Sequence, residues 1–294
     1  MYIMSFKSPL LSQEFFEEVE KHCYSLIKNN YWDKVDNYTL KQWLENFETD
    51  DEKYLASQIL FHFQYRNEKA MLSMFKQIIQ VYLPQKLNEL GVHEIASISE
   101  WEEELSTTKA FKLPFRFSTI DKEDKIGTSG HALFRLYAQN NLIYKDIGRV
   151  IDSNMQINVK TIILVDDITG SGKQFINFYE KHKISFEKFE NIIYCPLVAH
   201  EEGIKNIREK LSHVHIVPAE VLTKEEHSFY SISDEVNSND IFLSFYQEVV
   251  EKLKIKFSLG FSEQAILYAM NISTPNNNLS VIYHNKQWSP LLKR

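Results

Sequence analysis

Apolar positions recur every three or four residues through the first hundred residues. Phe15, Val19, Cys23 and Ile27 form one such stripe behind Ser12, and predict a helix from Ser12 to about Asn29. Thr49-Asp50-Asp51-Glu52 reads as a capping box, in which hydroxyl and carboxylate each satisfy an orphan amide. It opens a helix with Leu55, Ile59, Leu60 and Phe63 on one face. Met71, Met74, Phe75, Ile78, Ile79 and Tyr82 mark another, expected to stop near Pro84. Ser99-Glu100-Trp101-Glu102 reads as a second capping box. The Met and aromatic stripes are assigned to a bundle core in preference to a partner's docking face.

The period changes after Lys109. Phe115 to Ile120 alternates like a strand, and a polar loop from Asp121 to Gly130 leads into a predicted helix from His131 to about Asn140. Thr161-Ile162-Ile163-Leu164-Val165 is a β-branched run, followed by a Gly-rich turn and a helix near Phe175–Lys183. A strand over Ile192–Val198, a helix near Gly203–Leu211 and a strand over Val214–Val217 follow. Such alternation implies βαβ units and a parallel sheet covered on both faces. Asp240–Lys254 is a predicted helix; the tail reads as a helix after Leu259, an Asn-rich turn and a strand over Leu279–Tyr283. No internal repeat is visible. The expected organisation is an N-terminal helical domain over 1–108 and an α/β domain over 109–294.

Composition refines this picture. With 20 Phe, 15 Tyr, 4 Trp and only 8 Gly and 7 Pro in 294 residues, the chain is a folded globular protein. No apolar run is long enough to cross a membrane, and the first residues lack a signal-peptide layout. Two cysteines, Cys23 and Cys195, provide neither a disulfide framework nor a zinc site, so a reduced, cytoplasmic protein is expected. Residues 1–108 carry 10 Lys and Arg against 18 Asp and Glu, and the remainder 23 against 22. The acidic first part would repel nucleic-acid phosphates, and the near-neutral second part is the better host for a phosphorylated ligand.

The chemistry concentrates in Thr161-Ile162-Ile163-Leu164-Val165-Asp166-Asp167-Ile168-Thr169-Gly170-Ser171-Gly172-Lys173-Gln174. A buried strand ends in two carboxylates, and a loop of glycines and hydroxyls enters a helix. Ligands of parallel α/β sheets sit outside the carboxyl ends of strands. Glycines allow close backbone approach, and loop amides at a helix start favour an anion. Adjacent carboxylates suit vicinal hydroxyls or Mg²⁺. The chemistry implied is a phosphorylated sugar held at both ends.

This segment resembles the ribose-phosphate signature of type I phosphoribosyltransferases. The resemblance implies that Asp166 and Asp167 face the ribose hydroxyls or Mg²⁺ as the catalytic acidic pair. It implies that Thr169, Gly170, Ser171, Gly172, Lys173 and Gln174 hold the 5-phosphate, with the Gly172 backbone against it, so Gly172→Val is expected to weaken binding strongly at little cost to the fold. Gly170 and Gln174 stand where that loop usually has hydroxyls, which favours ribose-phosphate binding over efficient transfer. The fold also implies a second loop that cradles pyrophosphate, here Thr128, Ser129 and Gly130 within Ile126-Gly127-Thr128-Ser129-Gly130-His131; an ordinary turn and cap explains those residues equally well. With the N-terminal helices and the tail residues Thr274-Pro275-Asn276-Asn277-Asn278-Leu279, Trp288-Ser289-Pro290-Leu291-Leu292 and Arg294, the chain is similar to phosphoribosyltransferase-like effectors of bacterial anti-phage systems. The Asn run itself is first a turn signal.

Competing motifs fail. A Walker A loop needs Gly and Ser or Thr where Asp167 and Gln174 stand, and a dinucleotide fingerprint needs a small residue where Phe175 stands. His213 and His215 lack a third ligand at readable spacing, Glu100 to Glu104 suit a solvated helix start, and Cys195 lies in an apolar strand. Two classes of function remain. One is an enzyme acting at the anomeric carbon of phosphoribosyl pyrophosphate or a nucleotide, as a transferase or a glycoside hydrolase, with Mg²⁺ and loop amides stabilising departing pyrophosphate. The other is a catalytically degenerate sensor that binds a nucleotide and signals to protein partners through its helical domain.

Overall fold

The computed structural model describes residues 5–120, 129–148, 151, 159–252, 255 and 257–294. Among them are seven strands: β1 (Gln64–Arg66), β2 (Phe115–Thr119), β3 (Thr161–Thr169), β4 (Asn191–His200), β5 (Val214–Ile216), β6 (Glu220–Leu222) and β7 (Tyr268–Met270). The chain divides into two compact units, Met1–Glu68 with Thr223–Arg294, and Lys69–Leu222. The switch of period near residue 109 marks a change of secondary structure, and packing divides the chain elsewhere. Trp101 of the helix Ile98–Ser106 is buried, donates its indole N–H to Ile79 O at 2.7 Å and lies 5.9 Å from the ring of Phe115 in β2. The helices after residue 68 thus belong with the sheet.

In the first unit, the helices Ser12–Lys28, Asn37–Leu44 and Asp50–His62 do not close a core alone. Trp43, Leu55 and Ile59 share one with Phe242, Tyr246, Leu279, Val281, Trp288 and Leu291. The indoles of Trp43 and Trp288 both donate to Val281 O, at 2.8 and 2.9 Å. The Thr49–Glu52 capping box forms as expected. Other local signals shift. Ser12 is the first helical residue, with Leu11 at the cap. Ser97, not Ser99, caps the helix Ile98–Ser106 by accepting from Glu100 N. Pro84 does not stop its helix. A π turn over Ile78–Tyr82 precedes it, and its missing N–H falls in the first turn of Leu83–Glu89, where no partner is required.

The tail also departs from its pattern. Only the short 3₁₀ turn Phe261–Glu263 follows Leu259, and Ser280–Ile282 is a 3₁₀ turn in place of the expected strand. The tail strand is β7, parallel to β1. Asn278 explains the switch: its side chain accepts from Tyr268 N at 2.9 Å and donates to Tyr268 O at 2.8 Å, as a neighbouring strand would. Asn277 donates to Phe261 O and to Gln264. These amides hold the turn itself.

The second unit is a parallel sheet flanked by helices. Its order is β2-β3-β4-β5, with β6 beside the end of β4, and every pairing is parallel. A parallel bridge from Phe117 to Gly148 lies on the other side of β2. The chain therefore leaves β2 toward one edge, returns as β3 on the opposite side, and continues outward. The order reverses between β2 and β3, and such a reversal opens the crevice in which ligands of parallel sheets bind.

Candidate functional site

The acidic pair lies at that reversal, inside β3. The strand does not end with its apolar run at Val165: β4 is ten residues long and continues the pairing through Asp166↔Pro196, Ile168↔Val198 and Thr169↔Ala199. The two aspartates consequently differ in surroundings. Asp166 is 2% exposed, and both its oxygens are engaged, Oδ2 by the Tyr194 hydroxyl at 2.8 Å and Oδ1 by Asp167 N at 3.0 Å. Burial, and then the neighbouring charge of Asp167, push its carboxyl well above the usual range. Tyr194 is buried and stacks on Phe175 of the helix Lys173–Lys181, with ring centroids 4.1 Å apart. Asp167 is 5% exposed. The buried Tyr137 hydroxyl, on the helix Ser129–Gln139, has no partner among the described residues; burial and the charge of Asp167 raise its pKa. Its ring stacks on Phe75.

The loop Gly170–Gly172 then turns into the helix Lys173–Lys181. Gly172 is the N-cap and has φ +75°, a left-handed conformation suited to glycine. A Cβ there would stand 2.8 Å from Gly203 O and 3.0 Å from Ile207 Cγ1. The loop is therefore packed on the helix Glu201–Lys210, and the expectation that Gly172 could be enlarged without cost to the fold is corrected. Asn206 Nδ2 of the same helix donates to Ser171 O at 3.1 Å. A trans peptide sets N–H opposite C=O. With the carbonyls of Gly170 and Ser171 turned to that helix, the amides of Ser171 and Gly172 face away from it. Neither amide has an acceptor among the described residues. Thr169 is buried, and Lys173 and Gln174 are exposed on the first turn of the helix.

At the end of β2, Thr119 Oγ1 lies 3.3 Å from His131 Nδ1. Of the second loop, Thr128 lies outside the described residues, as does Gly127, and Ser129 opens the helix Ser129–Gln139. Gly130 lets that helix start against β2, since a Cβ would come within 3.2 Å of Thr119 Cβ and 3.4 Å of Ile120 O. Sequence reasoning missed Tyr194, Gly203 and Asn206. Only Gly203 left a signal, a glycine inside a helical pattern.

His213 Nε2 pairs with the Tyr179 hydroxyl at 2.9 Å. Burial raises the Cys195 thiol strongly and, with Glu20, that of Cys23 to about 12. Among the described residues no helix is long and apolar enough to cross a membrane, and no group of three or more His, Cys, Asp or Glu could hold a metal ion. The Asp166 carboxyl accepts a protein donor at each oxygen and is also hydrogen-bonded to that of Asp167, so Asp167 is the less enclosed carboxylate of the pair for a cation. One carboxylate fits Mg²⁺, which commonly takes one or two and completes its shell with water and ligand phosphates.

No curated protein matches the sequence. Two similar solved structures are orotate phosphoribosyltransferase from Aeropyrum pernix (13% identity, 52% of this chain and 72% of that one, TM-score 0.27) and the AQ2163 protein from Aquifex aeolicus (14% identity, 65% and 86%, TM-score 0.31). The model of the family described as PRTase-CE matches residues 40–294, and with its parallel sheet, its reversal between β2 and β3 and its acidic-pair loop, the chain belongs to that phosphoribosyltransferase-like family.

Proposed function

We propose that this chain binds a ribose phosphate, either phosphoribosyl pyrophosphate or a nucleotide, at the carboxyl ends of β2 and β3. The observation that carries the reading is the pair of amides, Ser171 and Gly172, without acceptors among the described residues, at a helix start beside a carboxylate. Two amides and the positive helix end suit a phosphate. Asp167 would then accept from the ribose hydroxyls or hold Mg²⁺, which when bound neutralises charge on a leaving pyrophosphate. Thr169, Lys173 and Gln174 flank the phosphate, and Gly130 the second loop. Because Asp166 is bonded to Tyr194, one carboxylate serves where the fold ordinarily offers two. This favours a nucleotide-binding sensor or regulatory module over an efficient transferase.

Calorimetry with ribose 5-phosphate and with phosphoribosyl pyrophosphate, each with and without Mg²⁺, tests the binding. Saturable binding to one site is the expected result, and no heat with either ligand would sink the reading. Phosphorus NMR of the same mixtures separates the classes: released pyrophosphate means an enzyme, and an intact ligand means a sensor.

The resemblance of the acidic-pair loop and tail to anti-phage effectors supports a role in bacterial defence, with protein partners met through the helices of the first unit. Expression in a phage-sensitive host is expected to lower plaque counts, and the Asp167→Asn chain to restore them. Equal counts with the wild-type chain and with none would remove this role.

A further inference from the structure

Three glycines of the chain meet at one point. Gly170 and Gly172 belong to the loop, and Gly203 lies in the first turn of the helix Glu201–Lys210. Glycine within a helix costs about 1 kcal/mol relative to alanine, so its presence there calls for a packing reason. The reason is contact. A Cβ on Gly203 would stand 2.2 Å from Gly170 O and 3.1 Å from Gly172 N. One turn on, Asn206 bonds Ser171 O, and Ile207 packs against Gly172. Positions 203, 206 and 207 share one face of a helix.

We infer that this helix face is the platform that aims the phosphate loop, with Gly203 and Asn206 as positioning residues. The inference rests on the ribose-phosphate reading for its ligand, and on the contacts alone for its geometry. Gly203 admits the Gly170 carbonyl, and Asn206 anchors the Ser171 carbonyl. The peptide between Ser171 and Gly172 is flanked by a glycine, whose backbone freedom makes a peptide flip inexpensive. A flip would turn the Gly172 N–H inward and present a carbonyl oxygen to the phosphate. Asn206 opposes that flip by holding the carbonyl on the helix side. Neither residue touches the ligand.

The test is Asn206→Ala in the full chain, read by calorimetry with ribose 5-phosphate and by NMR relaxation dispersion of the loop amides without ligand. Affinity is expected to fall about tenfold, the scale of one hydrogen bond. Dispersion at Ser171 and Gly172 rises as the released peptide samples its flipped state, while the thermal midpoint moves by about 2 °C or less. A purely structural residue would lower the midpoint and leave the affinity of the folded protein unchanged. Wild-type affinity with wild-type dispersion at both amides would overturn the inference. If the wild-type chain binds no ribose 5-phosphate, the ribose-phosphate reading falls. Relaxation dispersion alone then decides the platform: increased dispersion in Asn206→Ala sustains it, and unchanged dispersion overturns it. Gly203→Ala, with its Cβ driven against Gly170 O, is expected to bind no measurable ribose 5-phosphate; wild-type binding by that variant would equally overturn the inference.

Discussion

Gly172→Val is expected to lose about 3 kcal/mol or more of stability and all measurable phosphate binding. Two costs add. At φ +75° a residue with a Cβ pays about 1–2 kcal/mol, and a β-branched one pays at the upper end. The valine would also press on Gly203 O and Ile207 Cγ1, which stand 2.8 and 3.0 Å from the ideal Cβ position. Overpacking of this kind costs about 1–3 kcal/mol. Backbone carbonyls of a helix yield less than side-chain ends, so relaxation falls on the loop and turns its amides away from the ligand. Gly172→Ala pays most of the first cost and part of the second, and should fall between. Urea melts monitored by circular dichroism give the stability, and calorimetry with ribose 5-phosphate gives the binding. Lys173→Ala is the control. Lys173 is exposed, so its loss should leave stability unchanged and weaken binding modestly. Binding abolished by Lys173→Ala and kept by Gly172→Val would reopen the nucleoside-triphosphate reading.

That pair of substitutions also separates what the sequence could reveal from what it could not. The strand ahead of Gly172 and the helix behind it follow from local chemistry, and the structure has both, with a left-handed φ at Gly172 that glycine allows. What Gly172 touches is set by Gly203 and Ile207, 31 and 35 residues further on, and no local pattern carries that. The same limit explains the other departures. β3 continues through Asp166 and Thr169 because β4 offers a long partner, whereas the apolar run ends at Val165. The Leu279–Tyr283 segment has a strand's composition, but Asn278 already occupies the backbone of Tyr268. The helices after residue 68 look like a continuation of the first ones, yet Trp101 packs beside Phe115 of the sheet. Secondary structure was legible where capping and periodicity agree, as at Thr49–Glu52. Partnership between distant elements was not.

The acidic pair provides the sharpest division of effects. Asp167→Asn is expected to weaken ribose 5-phosphate binding about a hundredfold, the scale of a lost charge-assisted hydrogen bond, with little change in stability. Asp166→Ala should do the reverse in its first effect. It leaves the buried Tyr194 hydroxyl and Asp167 N without an acceptor, each worth about 1–3 kcal/mol. Tyr194→Phe should share that loss, and a double-mutant cycle of Asp166→Ala with Tyr194→Phe should show coupling on the order of 1–3 kcal/mol. The pH dependence adds a sign. Burial and the charge of Asp167 raise the Asp166 carboxyl in the folded state, so the fold holds that proton more tightly than the unfolded chain does. Its contribution to stability is present below the unfolded carboxylate's pKa of about 3.9 and is lost as pH rises through the raised folded value. Relative to Asp166→Asn, which cannot ionise, the wild-type chain should therefore lose stability as pH rises above about 4. Urea melts of both chains across that range measure the difference. Ribose 5-phosphate binding by Asp166→Asn should stay within about threefold of wild type, since both Asp166 oxygens already serve protein donors. Loss of binding in Asp166→Asn equal to that in Asp167→Asn, with no pH-dependent gain in stability, would mean that both carboxylates face the ligand and that the Tyr194 bond opens to receive it.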